Sequence, residues 1–140
     1  TLSGGEKQRV QFARALAQLF DSQSQGQLLL LDEPTSALDL AHQEATLKLA
    51  KQHAIEMDYG VIVVLHDLNL AANWADRILF LNRGKMHCIG SPDEVITSEI
   101  IESVYGLKTH IMTHPDTKRP IVLVSRQPEN KTHFDGDSPD

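Results

Sequence analysis

The residues of this sequence best placed to do chemistry stand at the ends of two apolar runs and at the start of the chain. Leu28-Leu29-Leu30-Leu31 leads straight into Asp32-Glu33-Pro34, and Val61-Ile62-Val63-Val64-Leu65 leads into His66. The first run delivers two carboxylates, a donor set suited to magnesium and water. A different chemistry is written in Ser3-Gly4-Gly5-Glu6. The S-x-x-E spacing is a capping box, and capping alone accounts for Ser3 and Glu6. Two consecutive glycines are not explained that way: they weaken a helix, yet they let backbone amides come close to an anion at its positive end. Asp39, after Ser36-Ala37-Leu38, reads on its own as a helix cap.

These groups need elements to hold them. Val10, Ala13, Ala17 and Phe20 fall on one face of a helix that starts just after Ser3, and the polar stretch from Asp21 to Gln27 ends it. Leu28 to Leu31 is too short for a helix, and Val61 to Leu65 repeats its form in β-branched residues; both read as strands covered on two faces. Between them Leu47, Ala50, Ala54 and Met57 line one side of a second helix. Strand, helix and strand make a parallel crossover unit, so the predicted fold class is α/β with a parallel sheet. In such a sheet ligands gather beyond the carboxyl ends of the strands, and Asp32, Glu33 and His66 then meet on one edge. Each taken singly is an ordinary solvated strand end; their joint placement favours a site.

Beyond His66 the punctuation is clear. Asp67 caps a helix carrying Leu68, Ala71, Ala72 and Ala75, Arg77 to Leu81 is a further strand, and Asn82-Arg83-Gly84-Lys85 turns into Met86 to Ile89. Ser91-Pro92-Asp93-Glu94 places an N-cap, a first-turn proline and a capping-box glutamate in order, and Gly106 sits where a helix ends. Lys108 to Thr113 and Ile121 to Ser125, joined by a turn from Pro115 to Pro120, form a small hairpin, and the polar stretch from Gln127 onward is expected to be disordered. His110 and His114 have the spacing of a helical metal pair, but Pro115 and strand-like neighbours argue against a helix there.

Composition narrows the function. A chain of 140 residues with 41% apolar and 23% charged side chains suits about one soluble domain. Its net charge of -6 argues against nucleic acid as the main partner, since phosphate backbones call for basic patches. No apolar run reaches the roughly 18 residues of a spanning helix, so membrane contact is expected to run through a partner protein. The lone Cys88 has no internal disulfide partner, which fits a reducing compartment.

Thr1 to Glu6, Leu28 to Pro34, Ser36-Ala37-Leu38-Asp39 and His66 together resemble, in order, the signature motif, Walker B segment, D-loop and switch histidine of ABC-type ATPases. The resemblance covers nearly residues 1 to 126 and implies the C-terminal part of a P-loop NTPase-like domain with ATP and Mg2+ as its cofactors. It implies that Asp32 holds the magnesium ion, through water, that Glu33 is the base polarising the attacking water, and that His66 contacts the γ-phosphate. It also implies that Ser3, Gly4, Gly5 and Glu6 bind the γ-phosphate of ATP held on an opposing copy of the subunit, with Asp39 in the seam of that homodimer. The phosphate-cradling loop G-x-x-x-x-G-K-[ST] occurs nowhere in the sequence. Upstream sequence is therefore expected, and the 140-residue chain by itself is expected neither to bind ATP tightly nor to hydrolyse it.

Within that family, His66-Asp67-Leu68-Asn69-Leu70-Ala71-Ala72 with Ala75-Asp76-Arg77-Ile78 is similar to the importers of iron chelates, haem and vitamin B12. His114-Pro115 followed by Arg119-Pro120-Ile121 is most similar to their hemin-importing branch. The resemblance implies transmembrane permease subunits as partners, a periplasmic hemin-binding protein as an indirect one, and a peripheral place on the cytoplasmic face of the bacterial inner membrane. Three alternatives stand beside hemin: a ferric siderophore or vitamin B12 as cargo, a DNA-associated ABC ATPase, and a noncatalytic piece lacking the phosphate loop. Salt-dependent DNA binding separates the second from transport.

Overall fold

A computed structural model of the chain describes residues 3, 6, 7, 10, 13, 14 and 26–126. Gly4 and Gly5, the end of the first predicted helix with its following loop, and the tail from Gln127 lie outside the described residues. Among the described residues, ten elements follow one another from Leu28 onward: β1 (Leu28–Asp32), α1 (Leu40–Met57), β2 (Gly60–Val64), α2 (Leu68–Trp74), β3 (Ile78–Asn82), β4 (Lys85–Gly90), α3 (Pro92–Val95), α4 (Ser98–Tyr105), β5 (Thr109–Thr113) and β6 (Pro120–Val124). The α/β class read from the sequence is the class found. Among the described residues the strands form three pairs, one parallel (β1 with β2) and two antiparallel (β3 with β4, β5 with β6).

The parallel pair is in register from Leu28 opposite Gly60 to Asp32 opposite Val64. The crossover between them is α1. Asp39 starts it by accepting a bond from the His42 amide, and Asp58 ends it with a left-handed φ of 53°, a conformation that Asp tolerates better than most residues. Leu47 and Ala50 are its buried residues, and Ala50 packs with Leu29, Leu31 and Tyr59. Met57, expected on the same inward face, is half exposed, because it occupies the last turn, beside the reversal at Asp58. The strands also depart from expectation. Leu29 and Leu31 are buried, but Leu28 and Leu30 on the opposite face are 58% and 65% exposed, so β1 is covered on one face among the described residues, and period-2 alternation sends its other leucines outward.

A second core is built by the elements from α2 to β6. Ala72 of α2, Ile78 and Phe80 of β3, Val95 and Ile96 at the end of α3, Ile101 of α4 and Val122 of β6 pack together. Ile101 is 0% exposed. The capping signals are realised: Glu94 Oε2 accepts from the Ser91 amide at 2.7 Å and from its hydroxyl at 2.9 Å, and these bonds hold the Glu94 carboxyl below the ordinary carboxylate range. Gly106 closes α4 in the left-handed region, φ 70°, where glycine carries no steric penalty. Between the two cores, α1 and α2 are tied by polar contacts. Trp74 Nε1 donates to Glu44 at 2.7 Å, and Lys51 Nζ donates to the Trp74 carbonyl at 3.2 Å and to Asp76 at 2.7 Å.

Gly90 marks where β4 meets α3. A Cβ there would lie 2.9 Å from both Val95 Cγ1 and Glu94 Oε2, closer than unbonded atoms sit. The Gly90→Ala variant is therefore expected to lose about 1–3 kcal/mol of stability, the usual cost of overpacking. Urea unfolding at neutral pH measures it, and a midpoint equal to that of the parent would show that α3 shifts without cost.

Candidate functional site

The site grows from the register of the parallel pair. Because Asp32 lies opposite Val64, the next residues of both strands emerge side by side at the carboxyl edge. Glu33 extends the ladder by one bond, its amide donating to the Val64 carbonyl at 3.1 Å, and then turns sharply with φ at 45°. A left-handed backbone is unfavourable for a residue with a Cβ, by roughly 1–2 kcal/mol. The turn carries the Glu33 carboxylate toward the second strand, where His66 Nε2 donates to Glu33 Oε1 at 2.5 Å. The two are far apart in sequence and meet only because β1 and β2 run parallel and in register. The pair is open to solvent, with His66 79% and Glu33 40% exposed.

The loop after Glu33 is held from α1. Ser36 and Leu38 donate their amides to the carbonyls of Glu33 and Thr35 at 3.3 and 3.1 Å, and Gln43 Nε2 donates to the carbonyls of Thr35 at 3.2 Å and Leu38 at 3.1 Å. Thr35 is buried beneath this loop. Neither Thr35 nor Gln43 was legible as part of the site, since a glutamine in the first turn of a helix has no signal apart from its three-dimensional partners. Asp39 caps α1: its Oδ1 accepts from the His42 amide at 2.9 Å and from His42 Nδ1 at 2.7 Å. On the other strand, Asp67 follows His66 at once and accepts from the amides of Asn69 and Leu70 at 2.8 and 3.0 Å, fixing the start of α2.

The structure thus brings Glu33 and His66 into contact and places Asp32 one residue earlier, exposed at the strand end. Ser3 and Glu6 form the capping box expected of them. The Ser3 amide donates to Glu6 Oε2 at 2.7 Å and the Glu6 amide to Ser3 Oγ at 3.3 Å; Gly4 and Gly5 between them are outside the described residues. Among the described residues no three His, Cys, Asp or Glu side chains are grouped to hold a metal. A single exposed carboxylate such as Asp32 fits magnesium, which keeps several waters and takes one or two carboxylates together with substrate phosphates. The His110/His114 pair is no helical metal site. His110 lies within β5 and His114 in the turn that follows it, so neither is on a helix, and His114 Nδ1 accepts from the amides of Asp116 and Thr117 at 3.1 and 3.2 Å. A depression of about 300 Å³ at the β3–β4 turn, lined by Asn82, Arg83, Lys85, Met86 and His87, involves none of the site residues.

An acid and an imidazole in contact at the edge of a parallel sheet are equipped for acid–base work on a ligand bound at that edge. Comparison with known proteins points the same way. No protein-family model matches. The chain is 58% identical over 121 residues to the hemin import ATP-binding protein HmuV of Vibrio vulnificus, a stretch covering 86% of this chain and 46% of that protein. Against the protein of the same name from Aliivibrio fischeri it is 55% identical over 125 residues, 89% of this chain and 47% of the other. The chain therefore spans about half the length of the curated relatives it matches. In fold it is similar to a solved metal-chelate type ABC transporter in an inward-facing conformation, with a TM-score of 0.72 and 31% identity over 89% of this chain and 48% of that one. A chain of the complex between an archaeal ribosomal stalk protein and the ribosome recycling factor aABCE1 also matches, with a TM-score of 0.65 and 27% identity over 87% of this chain and 23% of that one.

Asp39 gives the test that this geometry generates. Asp39→Ala is expected to lose about 1 kcal/mol of stability, the usual worth of an N-cap, whereas Asp39→Ser, itself a good cap, is expected to lose little. Thermal unfolding of the two variants beside the parent measures the difference; equal melting temperatures would mean that the His42 contacts contribute nothing to α1.

Proposed function

We propose, for a chain related in sequence and in fold to the ATP-binding proteins of ABC importers, that it forms the part of such a subunit that positions and activates water for ATP hydrolysis, energising the uptake of hemin. The observation that carries the reading is the Glu33–His66 contact at the carboxyl edge of β1 and β2. Residues 1–126 make up this portion of the domain.

In this reading Glu33 is the general base. An ionised carboxylate offers about four lone-pair sites over two oxygens, more than the His66 contact uses, so it can accept a proton from a water poised for attack. His66, as a ring N–H donor, orients that carboxylate and reaches toward the γ-phosphate. A phosphoryl group in transfer spreads negative charge over its oxygens, and the work of the protein is mainly placement and charge stabilisation. Asp32 would hold Mg2+ through water, and the ion would supply charge neutralisation to the phosphates. Ser3, Gly4, Gly5 and Glu6 would present the positive end of a helix to the γ-phosphate of ATP on a second copy of the subunit, with Asp39 in the seam between the two. The same Ser3–Glu6 box that starts a helix is compatible with that role, since capping and anion binding use different amides of the first turn.

Coupling to a permease supplies the transport. Among the described residues no helix is long and apolar enough to cross a membrane; in this reading the subunit sits peripherally on the cytoplasmic face and acts on transmembrane partners. The cargo never meets this chain; a periplasmic hemin-binding protein delivers it on the other side. Two proteins named for hemin import, 58% and 55% identical over the stretches they share with this chain, support hemin over other chelates.

Two experiments test the proposal. In the full-length protein, Glu33→Gln is expected to keep ATP binding and to lower hydrolysis about 10² to 10⁴-fold, the range for loss of a general base, with His66→Ala also impaired; turnover within twofold or so of the parent would move catalysis elsewhere. Reconstituted with its permease, the full-length protein should hydrolyse ATP faster with a hemin-loaded binding protein than with the empty one. A response to a ferric siderophore or cobalamin and none to hemin would overturn the cargo while leaving the ATPase reading intact.

A further inference from the structure

We infer, resting on the catalytic reading of Glu33 and His66, that Asn69 and Arg119 are positioning residues that brace the helix following His66 against the β5–β6 hairpin and so hold the imidazole in reach of Glu33. The need for a brace comes from exposure. With His66 79% exposed, side-chain packing does little to fix its ring, and its place is set by the backbone on either side. On one side that backbone is β2. On the other it is α2, which runs only from Leu68 to Trp74, a length at which a helix has little stability of its own and takes its orientation from tertiary contacts.

Both ends of α2 are fixed to the hairpin by side-chain bonds. Near its start, Asn69 Nδ2 donates to the Val122 carbonyl at 3.2 Å while Asn69 Oδ1 accepts from the Val122 amide at 2.7 Å. The side-chain amide thereby pairs with β6 as a neighbouring strand would, using a donor and an acceptor at once and so admitting one orientation. At its far end, Arg119 Nη1 donates to the carbonyls of Ala72 at 3.0 Å and Ala75 at 2.7 Å, groups that a helix terminus leaves without intrahelical partners. Arg119 is itself placed by the turn. Its carbonyl accepts from the His114 amide at 2.8 Å, and His114 Nδ1 accepts two amides across the same turn, which requires the ring proton to sit on Nε2. Between the two bonds Ala72 and Val122 pack in one buried cluster. The first turn of α2 is then bonded to Asp67, the residue next to His66. A continuous set of contacts therefore runs from the hairpin to the imidazole.

The test is a set of substitutions in the full-length protein, read as steady-state ATP hydrolysis with melting temperature as a folding control. Asn69→Ala and Arg119→Ala, acting at opposite ends of α2, are each expected to lower kcat about tenfold and to leave KM for ATP within about twofold, because a displaced imidazole affects the chemical step more than nucleotide binding. In a His66→Ala background, Asn69→Ala should change the residual single-turnover rate by less than about twofold, since no imidazole remains to be placed. Unchanged kcat in both alanine variants, or the same proportional loss with and without His66, would overturn the positioning role and leave the hydrolysis site standing. Parent-level hydrolysis by His66→Ala alone would instead overturn the site and the brace together.

Discussion

Everything at the candidate site depends on the hydrogen-bonded register between β1 and β2. The two strands are separated by a helix of eighteen residues, and neither brings any chemistry to the other until Leu28 pairs with Gly60 and the ladder runs through to Val64. A shift of one residue would turn the alternate side chains of each strand to the opposite face, burying Leu28 and Leu30 in place of Leu29 and Leu31. It would also separate Glu33 from His66. The apolar contacts of Leu29 and Leu31 with Ala50 and Tyr59 thus do two things: they stabilise the crossover unit, and they select the register in which the acid meets the imidazole.

Much of this was legible in the residues. Asp67, Ser91 with Glu94, and Gly106 mark element ends where the structure has them, because caps are local chemistry and need no knowledge of the rest of the chain. The convergence of Glu33 and His66 was legible too, since two buried apolar runs with a helix between them allow few arrangements. What could not be read were contacts whose partners lie far along the chain. Gln43 pinning the loop after Glu33 and Asn69 pairing with Val122 look from sequence like ordinary exposed amides. Nor does a leucine run reveal which of its faces is covered, so the strands expected to be buried on both sides are covered on one among the described residues.

The two cores divide the labour of the fold. One, around Leu29, Leu31, Ala50 and Tyr59, carries the strand ends where the candidate chemistry sits. The other, around Ile101, Phe80 and Val122, has no site residue in it and supports α2 from behind. Polar bonds from Trp74 to Glu44 and from Lys51 to Asp76 join them.

The backbone at Glu33 has a consequence for how this position tolerates change. With φ at 45°, glycine or asparagine would sit there more comfortably than glutamate. A library screened only for resistance to unfolding should therefore drift away from glutamate at position 33, while one screened for turnover should keep it.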